Sequence, residues 1–211
     1  MAATFDDPAT RIDDPVELRS HVGAVAPLAE RKVLNHLDQF CRDFIALSPF
    51  LVLASADEAG RADASPRGDA PGFVRVLDDK TLLIPDRRGN NRVDSFGNIL
   101  SAAGVGLIFM VPGISETLRV NGPARVTRDP ALLEPSTVQE RTPTIGLLVA
   151  VEEAFFHCGK ALIRSKLWDP ASQVERGSFP TLGRIVAEQT KVIGVAELEA
   201  TLEEGYRTRL Y

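Results

Sequence analysis

Eight short β-rich runs between residues 50 and 156 constrain the fold more than any other feature of the sequence. Turn residues separate them, and the stretch DEAG at residues 57–60 predicts a hairpin between the first two runs. The runs are FLVLASA (50–56), RADASPRGD (61–69), GFVRVLDD (72–79), TLLIPD (81–86), VGLIFMV (105–111), ETLRVNG (116–122), ARVTRD (124–129) and IGLLVAVEEAFF (145–156). Short strands joined by tight turns are typical of an antiparallel barrel.

Segments with helical periodicity precede, interrupt and follow these runs. Residues 27–47 carry apolar side chains at helical spacing and predict one amphipathic helix, which ends at Ser48-Pro49 because the residue before a proline disfavours helical backbone. Another helix is predicted over residues 91–102, and more follow Cys158. We therefore predict a single domain over residues 1–211. Its expected parts are N-terminal helices over about 15–47, a barrel over about 50–157 and C-terminal helices over about 159–211.

The charge and hydropathy of the chain exclude several classes of function. A net charge of −5 works against sequence-independent nucleic-acid binding, which requires a basic face that neutralises many phosphates. The N-terminal stretch carries several aspartates and no apolar run, so it does not resemble a secretory signal. No window reaches the roughly 18 apolar residues of a membrane span. We therefore expect a cytoplasmic protein that binds neither nucleic acid nor membranes.

The cysteines and histidines give no indication of a metal site. Cys41 and Cys158 are far apart in the sequence, and the three histidines are scattered without ligand spacing. We expect both cysteines to be buried thiols and no metal to be bound.

The sequence IPDRRGNNR (84–92) concentrates positive charge in an acidic chain, between a predicted strand and a predicted helix. We call residues 86–92 the arginine loop. Arg92 at the start of the helix, with Arg87 and Arg88 near it, and the backbone amides of the first turn would favour a phosphate or a carboxylate. Arg87 and Arg88 come earlier in the loop, and we expect them to point to solvent. The alternative is a solvated turn whose arginines only keep the surface soluble.

Five strings occur in order along the chain: ALSPFLVLASAD, DASPRGDAPGFV, LLIPDRRGNNR, VGLIFMVPGISETLRVNGPA and EAFFHCGKALIRSKLW. Together they resemble the pyridoxamine 5′-phosphate oxidase-like FMN-binding split-barrel family, and within it a bacterial subgroup of uncharacterised flavoproteins. The resemblance covers about residues 40–170. It implies a mainly β fold with flanking helices, an antiparallel six-stranded split β-barrel that binds FMN noncovalently. It also implies a homodimer with the flavin at the subunit interface.

The resemblance also implies roles for residues that match the family's motifs. Arg67 occupies the place of an arginine that contacts the flavin phosphate, and Asn90-Asn91-Arg92 matches the family's Ser-Arg-Lys phosphate-binding triplet. Ile84-Pro85 replaces a Tyr-Thr pair behind the flavin ring, so that only backbone contacts are retained there. Thr117 stands where a glutamine meets the flavin. From these matches we expect Arg67, Ile84, Pro85, Asn91, Arg92 and Thr117 to bind the cofactor.

Lys160 and Arg164 correspond to two basic residues of the family, of which one contacts the substrate and the other the flavin. Their spacing places both on one face of a helix. The alternative is that they form ordinary surface ion pairs. The resemblance leaves open which subunit would supply them to each flavin.

Other positions depart from the family. Residues 131–147 retain only Arg141 and Pro143 of a segment that binds the phosphate of the oxidase's substrate, and the lysine expected after Arg67 is missing. We therefore do not expect oxidation of pyridoxamine 5′-phosphate.

The resemblance predicts an FMN-dependent oxidoreductase that acts on an unidentified small molecule or electron acceptor. One alternative is a flavin-binding protein that stores or senses the flavin without turnover. A split-barrel enzyme that uses deazaflavin or haem is another, although no histidine is well placed as a haem ligand. An interaction domain without a ligand is the last. No catalytic residue, reductant or direction of reaction can be assigned from the sequence.

Overall fold

The computed structural model describes residues 7–8 and 10–211, and its contacts divide the chain into two compact units. The division falls after Val33, within the range expected to form one domain. The first unit contains the helices α1 (Pro15–Val22) and α2 (Pro27–Arg31). Asp14 caps α1 by accepting hydrogen bonds from the amides of Val16 and Glu17.

The second unit, Leu34–Tyr211, contains the remaining helices and all the described strands. The helices are α3 (Gln39–Leu47), α4 (Asp94–Ser101), α5 (Pro130–Leu133), α6 (Lys160–Ser165), α7 (Leu182–Thr190) and α8 (Val195–Thr208). The strands are β1 (Phe50–Ala56), β2 (Ala62–Gly68), β3 (Arg75–Asp78), β4 (Thr81–Pro85), β5 (Gly104–Met110), β6 (Thr117–Thr127), β7 (Gly146–Ala150) and β8 (Glu153–His157). Within the described residues, no helix is both long enough and apolar enough to cross a membrane.

All strand pairs are antiparallel, and β6 joins two half-sheets. One half-sheet has the order β2-β1-β5-β6-β8, and in it the first part of β6 pairs with β5 and β8. The other half-sheet has the order β6-β7-β4-β3, and in it the last four residues of β6, Ala124–Thr127, pair with β7. This arrangement confirms the predicted split barrel with flanking helices, although the described sheet has eight strands instead of six.

The strand boundaries explain how the eight predicted runs map onto the sheet. The runs at 116–122 and 124–129 form the single long strand β6, because the backbone stays extended through Gly122-Pro123. The run at 145–156 is instead divided into β7 and β8. The division occurs at Glu152, whose amide donates to the carbonyl of Asn121 and so returns the chain to the first half-sheet.

The prediction of one continuous helix over residues 27–47 is wrong. Leu34 forms a β-bridge with Ala154, so the chain between α2 and α3 is bound to the barrel by backbone hydrogen bonds. Asp38 then starts α3 by accepting a hydrogen bond from the amide of Cys41. Tertiary pairing and a cap therefore override the helical periodicity. The end of α3 at Ser48-Pro49 is as predicted.

The core is formed by the inward faces of the strands and one face of α3. Alternate residues are buried along β1, along β5 and along β6 from Leu118 to Ala124, as the period of two in a strand requires. On α3, Phe44 and Ile45 are buried, whereas Phe40 is 74% exposed although its spacing placed it on the apolar stripe. The largest buried side chains include Phe109, Leu51, Leu53, Leu107 and Leu118.

The two cysteines differ in environment. Cys41 is buried, and burial together with the neighbouring Asp38 raises the pKa of its thiol to about 12. Cys158 is exposed, because it follows the end of β8. The expectation that both thiols are buried is therefore wrong for Cys158.

Candidate functional site

A cavity of about 580 Å³ opens between β2, the arginine loop and the first turn of α4. Its volume lies within the roughly 300–1,000 Å³ of small-molecule sites. Apolar side chains line part of it, including Phe73, Pro85, Phe96 and Leu210. The rest is strongly charged, with a small excess of arginine over aspartate. The charged residues are Asp63, Arg67, Asp86, Arg87, Arg88, Arg92 and Asp94.

Arg67 is placed in this cavity by the alternation of β2. In the described sheet β2 pairs with β1 alone. The residues on either side of Arg67, Pro66 and Gly68, are exposed, whereas the Arg67 side chain is largely buried. The guanidinium lies 5.5 Å from the centroid of the Phe96 ring. Its Nε is buried and has no hydrogen-bond partner among the described residues. A buried donor of this kind is expected to have a partner.

Asp86 is the ion-pair partner of Arg67. Nη1 of Arg67 donates to the Asp86 carboxylate at 3.2 Å, and the two side chains are only 19% and 27% exposed. Burial raises the pKa of Asp86, and the nearby Arg67 offsets this only in part. A partly buried carboxylate therefore shares the cavity with the arginine.

Arg92 and Asn91 also line the cavity, but both are exposed. Nε of Arg92 donates to Asp94 at 2.8 Å, and 73% of the Arg92 side chain is exposed. Asn91 adopts a left-handed backbone conformation with φ of 60°, which asparagine tolerates better than most residues. These two residues thus form the outer rim of the cavity.

Asp94, Ser95 and Phe96 in the first turn of α4 line the same cavity. No side chain of the described residues caps this helix. Asp63 from β2 lies close by, because its carboxylate accepts a hydrogen bond from the buried Ser95 hydroxyl at 2.8 Å. The helix start predicted to favour an anion is therefore next to a carboxylate.

Arg87 does not point to solvent, and that expectation is wrong. Its Nε donates to Asp69 at 2.6 Å, and the two side chains are 17% and 2% exposed. It also donates to the Ser136 carbonyl at 2.8 Å and lies 5.5 Å from the centroid of the Tyr211 ring. Arg87 therefore connects the arginine loop to three other parts of the barrel unit. Arg88 is exposed as expected, and no described residue forms an ion pair with it.

Asp69 completes this connection. Burial alone would raise the pKa of Asp69, but hydrogen bonds from Tyr211, from the amide of Ala70 and from Arg87 outweigh it and lower the pKa. The hydroxyl of Tyr211 donates to the carboxylate at 2.8 Å. Asp69 is thus a charged group with several donors around it.

The structure brings together Arg67, Pro85, Asn91 and Arg92 of the predicted site residues. Ile84 is buried in the barrel core, so only its backbone could reach a ligand.

Thr117, Lys160 and Arg164 do not line the cavity of the same chain. Thr117 is buried on β6, three strand spacings or about 14 Å from β2. Lys160 and Arg164 are exposed on α6. The roles of these three residues remain predictions.

Sequence reasoning missed Asp63, Asp86 and Leu210 as cavity residues. Asp63 lies four residues before Arg67 on β2, and a period of two would have placed both on one face. Asp86 is adjacent to the matched Pro85, but a loop residue carries no periodic signal. Leu210 is brought in by the packing of the C-terminal segment, for which the sequence has no local indication.

Known proteins resemble this chain to different degrees. No curated protein matches it. Solved structures similar to it include HupZ from Group A Streptococcus, which is 19% identical over 56% of this chain and 92% of its own, with a TM-score of 0.48. An FMN-binding protein from Syntrophomonas wolfei is 11% identical over 56% of this chain and 83% of its own, with a TM-score of 0.44. The FAD binding protein from Mycobacterium smegmatis is 17% identical over 59% of this chain and 97% of its own, with a TM-score of 0.41.

These scores are too low to support a functional inference. The family model described as pyridoxamine 5′-phosphate oxidase, in contrast, matches residues 37–158, which is more than half of the chain and includes all the described strands. The chain therefore belongs to the pyridoxamine 5′-phosphate oxidase-like family of FMN-binding split barrels.

Proposed function

We propose that the protein binds FMN noncovalently, with the phosphate beside Arg67, and acts as an FMN-dependent oxidoreductase on a small molecule. The observation that carries the proposal is Arg67 itself. In a member of this family, it lies in a 580 Å³ cavity with a buried Nε that lacks a partner among the described residues.

The residues around the cavity fit the two chemically different ends of FMN. Arg67, Arg88 and the amides in the first turn of α4 offer charge-assisted and backbone donors to a phosphate. Phe73, Pro85 and Phe96 offer apolar surface to a flat ring. When bound, FMN would supply hydride or single-electron transfer, and the chain would orient it and exclude water.

A second copy of the chain would complete the site. Thr117, Lys160 and Arg164 lie outside the cavity of their own chain, and a homodimer with the flavin at its interface would bring them to the cavity of its partner. The outer face of the first half-sheet suits such an interface, because it presents small and apolar residues in register across β2, β1 and β5. Its central row is Ala64, Ala54 and Gly106, and the next is Pro66, Val52 and Ile108.

The substrate is proposed to differ from pyridoxamine 5′-phosphate. Arg141, one of two matching residues in the phosphate-binding segment, is exposed and donates to the backbone carbonyl of Tyr211. The purified protein should therefore oxidise pyridoxamine 5′-phosphate no faster than free FMN does. A cytoplasmic location also stays a prediction from the sequence.

Titration of the apoprotein with FMN and with riboflavin, followed by flavin fluorescence, tests the proposal. Riboflavin lacks the phosphate, so it serves as an internal control. Charge-assisted hydrogen bonds contribute about 1.5–3 kcal/mol, so Arg67→Ala should weaken FMN about 10- to 150-fold and leave riboflavin almost unchanged. Arg125→Ala is a matched control, because Arg125 is exposed on β6 and does not line the cavity. Equal losses for both flavins, or none, would refute a phosphate site at Arg67.

Arg92→Ala should have a smaller effect than the match to the family implies. Arg92 is exposed and already paired with Asp94, and such pairs contribute about 1 kcal/mol or less.

Stopped-flow measurements then separate an enzyme from a passive flavin carrier. The bound flavin should be reduced by NADH or NADPH, and reoxidised by an acceptor, faster than free FMN. If no reductant or acceptor changes the flavin spectrum faster than in free FMN, the oxidoreductase part of the proposal fails and flavin storage or sensing remains.

A further inference from the structure

We propose that Asp86 sets the charge selectivity of this cavity, by pairing with Arg67 when no anion is bound and opposing ligands that carry a phosphate there. This inference rests on the proposed binding of FMN. It concerns a residue that no family motif assigned to the site.

The geometry places Asp86 in direct competition with a bound anion. Its carboxylate is 3.2 Å from Nη1 of Arg67, and both side chains line the cavity. Nε of Arg67 is buried without a partner among the described residues, on the side of the guanidinium away from the Asp86 contact. Because the guanidinium is small, a phosphate that binds it on that side still lies close enough to the Asp86 carboxylate to be repelled by it.

The other two ion pairs around the cavity do not have this property. The Arg92–Asp94 pair is exposed, so water and salt screen it. The Arg87–Asp69 pair is buried, but both partners are committed to further groups, the Ser136 carbonyl and the Tyr211 hydroxyl. Asp86 is thus the carboxylate in the described cavity that shares a largely covered arginine with the proposed ligand.

The energetic consequence differs between ligands. A dianionic phosphate next to a partly buried carboxylate is unfavourable, so Asp86 must release Arg67 or take up a proton when FMN binds. Burial already raises the pKa of Asp86, which is consistent with a carboxylate that accepts a proton readily. Riboflavin brings no charge to this position and does not disturb the pair. Asp86 therefore reduces the preference for FMN over riboflavin.

The neutral variant Asp86→Asn tests this role, because it keeps the shape of the side chain and an oxygen that can accept from Arg67. A like charge near a carboxylate changes its pKa by about one unit or more, so the variant should bind FMN about tenfold or more tightly than the natural protein. Riboflavin affinity should change by less than about twofold, because riboflavin has no phosphate that the Asp86 carboxylate could repel. Fluorescence titration at low ionic strength measures both.

Three further variants make the result specific. Asp86→Glu keeps the charge and should keep the natural ratio of FMN to riboflavin affinity. Asp94→Asn removes the exposed carboxylate of the same cavity and should change the ratio by less than about threefold, because exposed pairs are weak. Asp86→Ser removes the charge with a different side chain, and it replaces Asp86→Asn if thermal unfolding shows that the latter is not folded.

The outcomes distinguish this inference from the proposed function. If the natural protein binds FMN but neither neutral variant gains affinity, Asp86 has no selective role and the inference is overturned. Equal losses of FMN and riboflavin would also overturn it, since they would assign Asp86 to the shared part of the flavins. If neither the natural protein nor any variant binds FMN, the proposed function fails, and the role of Asp86 fails with it.

Discussion

A Cβ atom on Gly122 would lie 1.8 Å from the carbonyl oxygen of Ala150. Gly122 lies between Asn121, the last residue of β6 that pairs with β8, and Ala124, the first that pairs with β7. The backbones of the two half-sheets therefore meet at a distance that only glycine allows. The close approach of the two half-sheets at this point therefore requires glycine at position 122.

Gly122→Ala should destabilise the protein by about 3 kcal/mol or more, because the added methyl group can be accommodated only by moving the backbone of Ala150 or Gly122. Urea unfolding followed by circular dichroism measures the change. Gly104→Ala is the matched control: Gly104 starts β5, and nothing lies within 4 Å of its Cβ position. Unfolding midpoints that agree for the two variants would contradict the close approach at Gly122.

Arg87→Ala should destabilise the protein without any ligand present. The substitution leaves the Asp69 carboxylate, which is only 2% exposed, without its cation. Breaking a buried ion pair from one side costs about 3–5 kcal/mol, which corresponds to a fall in Tm of roughly 10 °C for a chain of this size. Differential scanning fluorimetry of the flavin-free protein measures it.

Arg88→Ala is the comparison for this loss, since Arg88 is the next residue of the arginine loop and is exposed. Its Tm should change by about 2 °C or less, as for an exposed charge. An equal effect of the two substitutions would show that Arg87 does not connect the loop to the barrel unit.

The ion pair between Arg87 and Asp69 also predicts that the stability of the fold depends on pH. Hydrogen bonds and Arg87 lower the pKa of Asp69 in the folded state below its unfolded value of about 3.9. The ionised carboxylate therefore contributes stability that is fully present above the unfolded pKa and is lost as the pH falls through the folded pKa. Asp69→Asn should be less stable than the natural protein at about pH 7, and the difference should narrow below about pH 4. A difference that is constant or widens in acid, measured by urea unfolding, would assign the loss to packing instead of charge.

The strands were predictable because each half-sheet has one buried face. The sequence of such a strand has apolar residues at every second position or in a continuous run. The helix over residues 27–47 was not, because the bridge between Leu34 and Ala154 joins segments far apart in the chain. Helical periodicity cannot report such a contact. Phe40 lies on the expected apolar stripe and is nevertheless exposed, although Phe44 and Ile45 of the same stripe are buried.

The candidate site was predictable where one strand and one loop supply it. Arg67 and the arginine loop lie together because β2 and the end of β4 both border the cavity. The ion-pair partners of the arginines were not predictable, because Asp86 is 19 residues away from Arg67 in the sequence and Asp69 is 18 residues away from Arg87. These ion pairs determine which arginine side chains are shielded from solvent and which are exposed.

The proposed homodimer makes the final prediction. Ala54 is exposed on β1, and its neighbours across the sheet are Ala64 and Gly106, so this part of the outer face is flat and has little polar surface. Ala54→Glu would place a carboxylate in the centre of the proposed interface, where a symmetric contact brings two copies of it close together. We expect the variant to be a folded monomer that binds FMN at least about tenfold more weakly, because like charges across an interface cost several kcal/mol and the partner would no longer contribute to the site.

Light scattering together with flavin titration measures both effects on the same sample. Val192→Glu is the control, since Val192 is 87% exposed in the turn between α7 and α8 and lies outside the sheet. It should leave mass and FMN affinity unchanged. If the natural protein is a monomer at micromolar concentration with flavin bound, or if Ala54→Glu is a monomer with unchanged affinity, the cavity is complete within one chain. Thr117, Lys160 and Arg164 would then have no part in binding the flavin, because none of them lines the cavity of its own chain.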